Sequence, residues 1–171
     1  MHERVLILDF GSQYTQLIAR RVRELDVYCE IRPWRIGAAE LRAFDARAVI
    51  LSGGPASTIA ADAPAAPAEV FELGVPVLGI CYGEQTMCAR LGGRTESASS
   101  REFGRAEITL GTTSPLFEDV LAPGETAVVW MSHGDRVAAL PAGFRTLATS
   151  AGAPFAAIAD QDRRFYGLQF H

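Results

Sequence analysis

Three strand-length runs, "RVLILDF" (4–10), "ARAVILSG" (46–53) and "VPVLGI" (75–80), are apolar almost throughout rather than at every second residue. Such a strand has to be covered on both faces, which is the condition of a parallel sheet. The segments between them carry helical periodicity instead. In "SQYTQLIARRVRELD" (12–26), Leu17, Ile18, Val22 and Leu25 share one face, and Arg20, Arg21, Arg23 and Glu24 lie largely off it, with Ser12 placed to cap the start. "VYCEIRPW" reads as a further strand, "GAAELRAF" as a short helix, "APAEVFELG" as a helix stopped by Gly74, and "YGEQTMCARLGG" as the helix after the fourth strand. The alternation predicts an α/β fold with three layers: a mostly parallel central sheet and helices on both faces.

After residue 93 the pattern changes. "GRTESA", "RAEITL", "TAVVWMSH", "FRTLATSA", "PFAAIADQ" and "RFYGLQF" are strand-like with few helical segments between them, so additional antiparallel strands are expected on the same sheet. The stretch "ASTIAADAPAAPAEV" is expected to be an ordered surface loop. A chain of 171 residues suits one domain spanning 1–171. Its net charge of −4 argues against a nucleic-acid footprint. No run approaches the roughly 20 apolar residues of a membrane span, and "MHERVLILDF" lacks the layout of a signal peptide, so a cytoplasmic location is expected. Cys29, Cys81 and Cys88 form no CxxC pair and no His/Cys cluster at zinc spacing, so no metal is expected.

In open α/β sheets ligands gather at the carboxyl ends of the strands. Three glycine-rich or polar turns fall there: "DFGSQ", "SGGPAST" and "CYGEQ". Cys81 stands where the fourth strand turns at once into a helix, flanked by Gly79 and Gly83 in a G-x-C-x-G pattern, the cysteine counterpart of the serine nucleophile elbow. The helix N-terminus there is expected to favour a thiolate and to offer amides to an oxyanion. Cys29 and Cys88 read as structural cysteines. A thiol nucleophile needs a proton acceptor. His2 lies at the terminus, whereas His133 and His171 both follow apolar strands, and spacing alone does not choose between them.

The ordered set "LDFGSQYTQLIARRVREL", "LSGGPAST", "GICYGEQ", "REFG", "WMSHGD" and "RFYGLQFH" resembles the class I glutamine amidotransferases, and within them the amidotransferase domain of GMP synthetase. The resemblance covers essentially the whole chain. It implies that Cys81 attacks the amide carbon of glutamine, that His171 is its base and then the acid for the leaving ammonia, and that backbone N–H groups of Gly54 and Tyr82 form the oxyanion hole. Tyr82, Gln85, Ser132, Gly134 and Asp135 are implied to line the glutamine pocket, leaving His133 a pocket-loop residue. "DFGSQ" lacks both G-x-G-x-x-G and a P-loop lysine, so it is expected to serve structure or the contact with a synthetase portion.

Relatives of this kind continue past the histidine with Pro-Glu, the glutamate completing a Cys-His-Glu triad. The expectation from the sequence is therefore a partial chain, without its synthetase domain and at most weakly active alone. The resemblance implies no cofactor for the glutaminase part, ATP and Mg2+ for the synthetase part, and a homodimeric parent. Glu84, in a position often apolar in relatives, is expected to face solvent. Two alternatives stay open: the glutaminase subunit of another amidotransferase such as anthranilate synthase, or a non-catalytic amidotransferase-like module.

Overall fold

The computed structural model describes residues 3–171; His2 lies outside them. Among the described residues nine strands form a single sheet. The first half builds β1 (Arg4–Asp9), α1 (Thr15–Glu24), β2 (Tyr28–Pro33), α2 (Ala38–Phe44), β3 (Ala48–Leu51), β4 (Val77–Ile80) and α3 (Tyr82–Arg90). The second half adds β5 (Arg94–Leu110), β6 (Thr126–Ala139), β7 (Arg145–Thr149), β8 (Ala157–Asp160) and β9 (Phe165–Leu168). The strand order is β2-β1-β3-β4-β9-β8-β7-β5-β6. Strands β2, β1, β3, β4 and β9 are parallel, and β8, β7, β5 and β6 continue the sheet antiparallel.

The continuous apolar runs are explained by the two faces. Leu6 and Leu8 of β1 pack with Leu41, Phe44, Val49, Leu51 and Val70 on one side, while Val5 and Ile7 pack with Ile18, Ala19 and Val22 of α1 on the other. Cys29 is buried in the α1 cluster, its Sγ 3.4 Å from the Ala19 carbonyl, and Cys88 is buried beside Val137 and Ile158. Both are structural, as expected.

Three local expectations need correction. The helix expected from Ser12 begins at Thr15 with Tyr14 at its N-cap; Ser12 stands two residues before that position, and its Oγ accepts from Tyr14 N at 2.9 Å. "APAEVFELG" is a 3-10 segment, Ala68–Glu72, too short to propagate as an α-helix. "GRTESA" and "RAEITL" belong to one 17-residue strand, β5, with a register shift against β6 between Ser97 and Glu102.

The largest correction concerns α3. Every residue from Tyr82 to Cys88 is buried, because this helix contacts β3, β4, β9, β5 and β6. It has no solvent face in its first two turns. Glu84 is therefore fully buried, and neither carboxyl oxygen has a hydrogen-bond partner.

Candidate active site

Cys81 connects β4 to α3 with φ 55° and ψ −110°, a conformation that a residue bearing Cβ rarely adopts. Its N–H donates to the Leu168 carbonyl at 2.6 Å, and its own carbonyl accepts from Gln85 N at 3.3 Å, so sheet and helix both grip the strained unit. The flanking glycines are required by contact. A Cβ on Gly79 would lie 2.6 Å from the Gly83 carbonyl carbon and oxygen, and one on Gly83 would lie 2.2 Å from the Leu51 carbonyl oxygen. The G-x-C-x-G pattern thus lets helix, turn and neighbouring strand approach closely enough to hold the thiol above the sheet.

The turn after β3 supplies the opposite wall. A Cβ on Gly54 would stand 2.3 Å from the Phe10 carbonyl oxygen, whereas one on Gly53 would have ordinary contacts, 3.5 Å to Cys81 Cβ and 3.6 Å to His171 Cε1. Gly53 therefore lies against both Cys81 and His171. Ser52, fully buried, accepts from Phe10 N at 3.0 Å and donates to the Gly53 carbonyl at 2.9 Å, tying this turn to the one after β1.

Two recesses share Cys81. A cleft of about 450 Å³ is lined by Gly54, Tyr82, Gln85 and Ser132–Asp135, with Arg101 and Phe103 of β5 at its wall. A smaller recess of about 260 Å³ holds Gly11–Tyr14, Gly53–Pro55, Cys81, Ser132 and His171. Gly11–Gln13 of "DFGSQ" thus line the recess beside Cys81, at the carboxyl-end rim where the sequence places this turn. The Tyr14 ring packs on the imidazole, centroids 4.9 Å apart. A depression of about 660 Å³ over Thr113–Glu125 is lined by neither a cysteine nor a histidine.

The cleft wall opposite Cys81 is polar. Ser57 Oγ donates to Asp135 Oδ2 and Ser97 Oγ donates to Oδ1 at 3.3 Å. Arg101 runs over Gly134, putting a cation at the same end of the cleft. His133 is committed elsewhere: Nε2 meets Glu102 Oε2 and Nδ1 meets the Asp135 carbonyl, each at 2.9 Å, locking β6 to β5. The two candidate histidines are thus separated by structure, with His171 beside the thiol.

The expectation of a ready thiolate is not met in the free site. Burial pushes the Cys81 thiol up to about 11, outweighing the Tyr82 N–H and the Gln169 amide, which both favour the anion. A charge on Glu84 contributes to this rise, and burial in turn holds that carboxyl well above its own ordinary range. Burial also lowers the pKa of His171, so the imidazole is neutral and able to accept a proton. The resting pair is a thiol and a neutral imidazole, and Sγ contacts the Ser132 carbonyl at 3.5 Å. Sequence reasoning passed over Gln169, whose Nε2 lies 3.5 Å from Sγ. Its signal was a lone polar residue in an apolar run, two positions before His171 and so on the same face.

A strained cysteine on a strand-to-helix turn shares its recess with a histidine just beyond the end of the adjacent parallel strand, which makes this a cysteine-and-histidine site at the rim of an α/β sheet. The glutamine amidotransferase class-I family matches residues 6–171, and the chain belongs to that family. The chain is 62% identical over 170 residues to the GMP synthase (glutamine-hydrolyzing) of Phenylobacterium zucineum and 58% identical over 169 residues to that of Bartonella quintana, covering 99% of this chain in each case. It spans 33% of the length of both relatives. Among solved structures, a Thermoplasma acidophilum protein superposes with a TM-score of 0.81 at 26% identity, covering 100% of this chain and 84% of its own. A glutamine amidotransferase from Thermotoga maritima superposes with a TM-score of 0.75 at 20% identity, covering 100% of this chain and 76% of its own, which supports the fold.

Proposed function

We propose that this chain hydrolyses glutamine to glutamate and ammonia, and that the ammonia is used by the remainder of a longer protein for ATP-dependent amination of XMP to GMP. The observation that carries the first half is the position of Cys81 Sγ on the wall shared by the polar cleft and the His171 recess. The second half is supported by the identity to proteins named GMP synthase (glutamine-hydrolyzing), three times as long as this chain.

In this reading the amino-acid end of glutamine lies against Asp135 and Arg101, whose opposite charges suit its ammonium and carboxylate, and Tyr82, Gln85, Ser132 and Gly134 enclose the rest. Cys81 sulfur bonds to the amide carbon while its proton passes to His171. The C=O electron pair moves to oxygen, where the N–H groups of Gly54 and Tyr82 receive it. Collapse breaks the C–N bond, and the His171 proton leaves with nitrogen as ammonia, giving a glutamyl thioester. Water then adds to the thioester as His171 takes its proton. The C–S bond breaks, the proton returns to sulfur, and glutamate departs.

Among the described residues, burial alone shifts His171 and no carboxylate pairs with its ring, so turnover by these 171 residues is expected to be slow. ATP and Mg2+ belong to the synthetase portion, and the glutaminase chemistry uses only side chains and backbone. A one-domain unit, a cytoplasmic setting and a homodimeric longer protein go with this reading through the family resemblance.

The test is Cys81→Ala in the longer protein. Glutamine-dependent GMP formation should vanish, while formation driven by added ammonium salt should persist. Retention of glutamine use by the variant would exclude Cys81 as the nucleophile.

A further inference from the structure

Gln169 is 1% exposed, and its surroundings set the orientation of its amide atom by atom. The chain of bonds starts at the backbone carbonyl of Asp135, which can only accept. Gln85 must therefore present its amide nitrogen there, and its Nε2 donates to that oxygen at 3.0 Å. The second hydrogen of the same nitrogen goes to Gln169 Oε1, also at 3.0 Å. With its oxygen turned toward Gln85, Gln169 is left presenting Nε2 to the other side, where Cys81 Sγ lies 3.5 Å away. The same relay spends both amide protons of Gln85 inside the protein, so only its carbonyl oxygen remains for a ligand in the cleft.

The sulfur thus has different partners in its two protonation states. As a thiol it can donate to the Ser132 carbonyl at 3.5 Å. As a thiolate it can only accept, so the Ser132 contact turns unfavourable while the donor from Gln169 strengthens. Neither glutamine is exposed enough to have a role as a surface group, and a buried amide pair of this kind fixes one geometry.

We propose that Gln169 is a further catalytic residue of this site: its amide donates to Cys81 Sγ, aiming the sulfur and stabilising the thiolate, while Gln85 is the positioning residue that fixes the donor's direction. This rests on the reading of Cys81 as the nucleophile, but its test needs no glutamine. The pH dependence of Cys81 alkylation by iodoacetamide, measured by mass spectrometry on this chain, reads the thiolate directly. Cys81→Ala supplies the background from Cys29 and Cys88.

Gln169→Leu removes a donor to an ionised group, a contact whose loss shifts the apparent pKa upward by about one unit and slows alkylation at pH 8 about tenfold. Gln169→Met keeps the length of the side chain and carries no N–H, so it should slow alkylation as much as leucine does. Gln85→Leu should move the profile the same way by less. Circular dichroism and thermal melting check the fold, and Gln169→Met decides the matter if the leucine variant fails to fold. Profiles of the two Gln169 variants that superimpose on the wild type would overturn the proposal. A shifted profile here, together with a longer protein that forms no GMP from glutamine, would support this donor role while refuting the proposed reaction.

Discussion

Cys81→Gly should be at least as stable as Cys81→Ala, reversing the usual order of these residues. At an ordinary buried position glycine loses about 0.4–1 kcal/mol relative to alanine through the entropy of the unfolded chain. Removing the buried Cβ adds about 0.8 kcal/mol. The expected deficit is thus about 1.5 kcal/mol, equivalent to roughly 3–6 °C in Tm for a chain of this length. Residue 81, however, sits at φ 55° and ψ −110°, where a side chain strains the backbone by about 1–3 kcal/mol. Glycine releases that strain and alanine keeps it, so the two effects offset one another. Urea unfolding of both variants at pH 7, with equal m-values, reads the difference. Cys88, helical and buried on α3, is the control, and its glycine variant should be less stable than its alanine variant by 1.5 kcal/mol or more. If Cys81→Gly also fell 1 kcal/mol or more below Cys81→Ala, the strain would not be present and the account of the turn would fail.

Three further outcomes follow from specific contacts. Gly54→Ala, whose methyl would stand 2.3 Å from the Phe10 carbonyl oxygen, should destabilise the fold by about 1–3 kcal/mol, whereas Gly53→Ala should stay within about 1 kcal/mol of wild type; equal denaturation midpoints would contradict this. Glu84→Met should stabilise the protein by about 1–3 kcal/mol at pH 8, since it removes a buried carboxyl with two unpartnered oxygens. The folded state keeps the Glu84 proton and the unfolded state loses it above its ordinary carboxyl pKa, so wild-type stability falls as pH rises past that value, and the gain from methionine should shrink toward pH 4; a pH-independent gain would refute a protonated Glu84. Alkylation of Cys81 in the ligand-free chain should still be climbing at pH 9–10, as burial raises its thiol to about 11; a plateau below pH 8 would show a resting thiolate.

Chemistry that depends on neighbours along the chain was legible in the sequence. The apolar runs at 4–10, 46–53 and 75–80 determine a sheet covered on both faces, because each strand's two surfaces are written in its own residues. The G-x-C-x-G spacing marks a turn too tight for side chains at 79 and 83, and the order of the motifs marks the family. What the tertiary structure alone decided depends on segments distant in sequence. The resemblance implies His171 rather than His133 where spacing alone does not choose, and the physical reason lies in the fold: β9 inserts beside β4 while Glu102 of β5 engages His133. Glu84 was expected outside, and is inside because α3 packs on the sheet with the Glu84 side chain against Gly167 of β9. The thiol's state was decided in the same way: helix-end amides favour the anion locally, but burial is a property of the whole fold, and here burial outweighs them. Gln169 joins the site through Gln85, 84 residues away in sequence, and that contact exists only once the sheet is assembled.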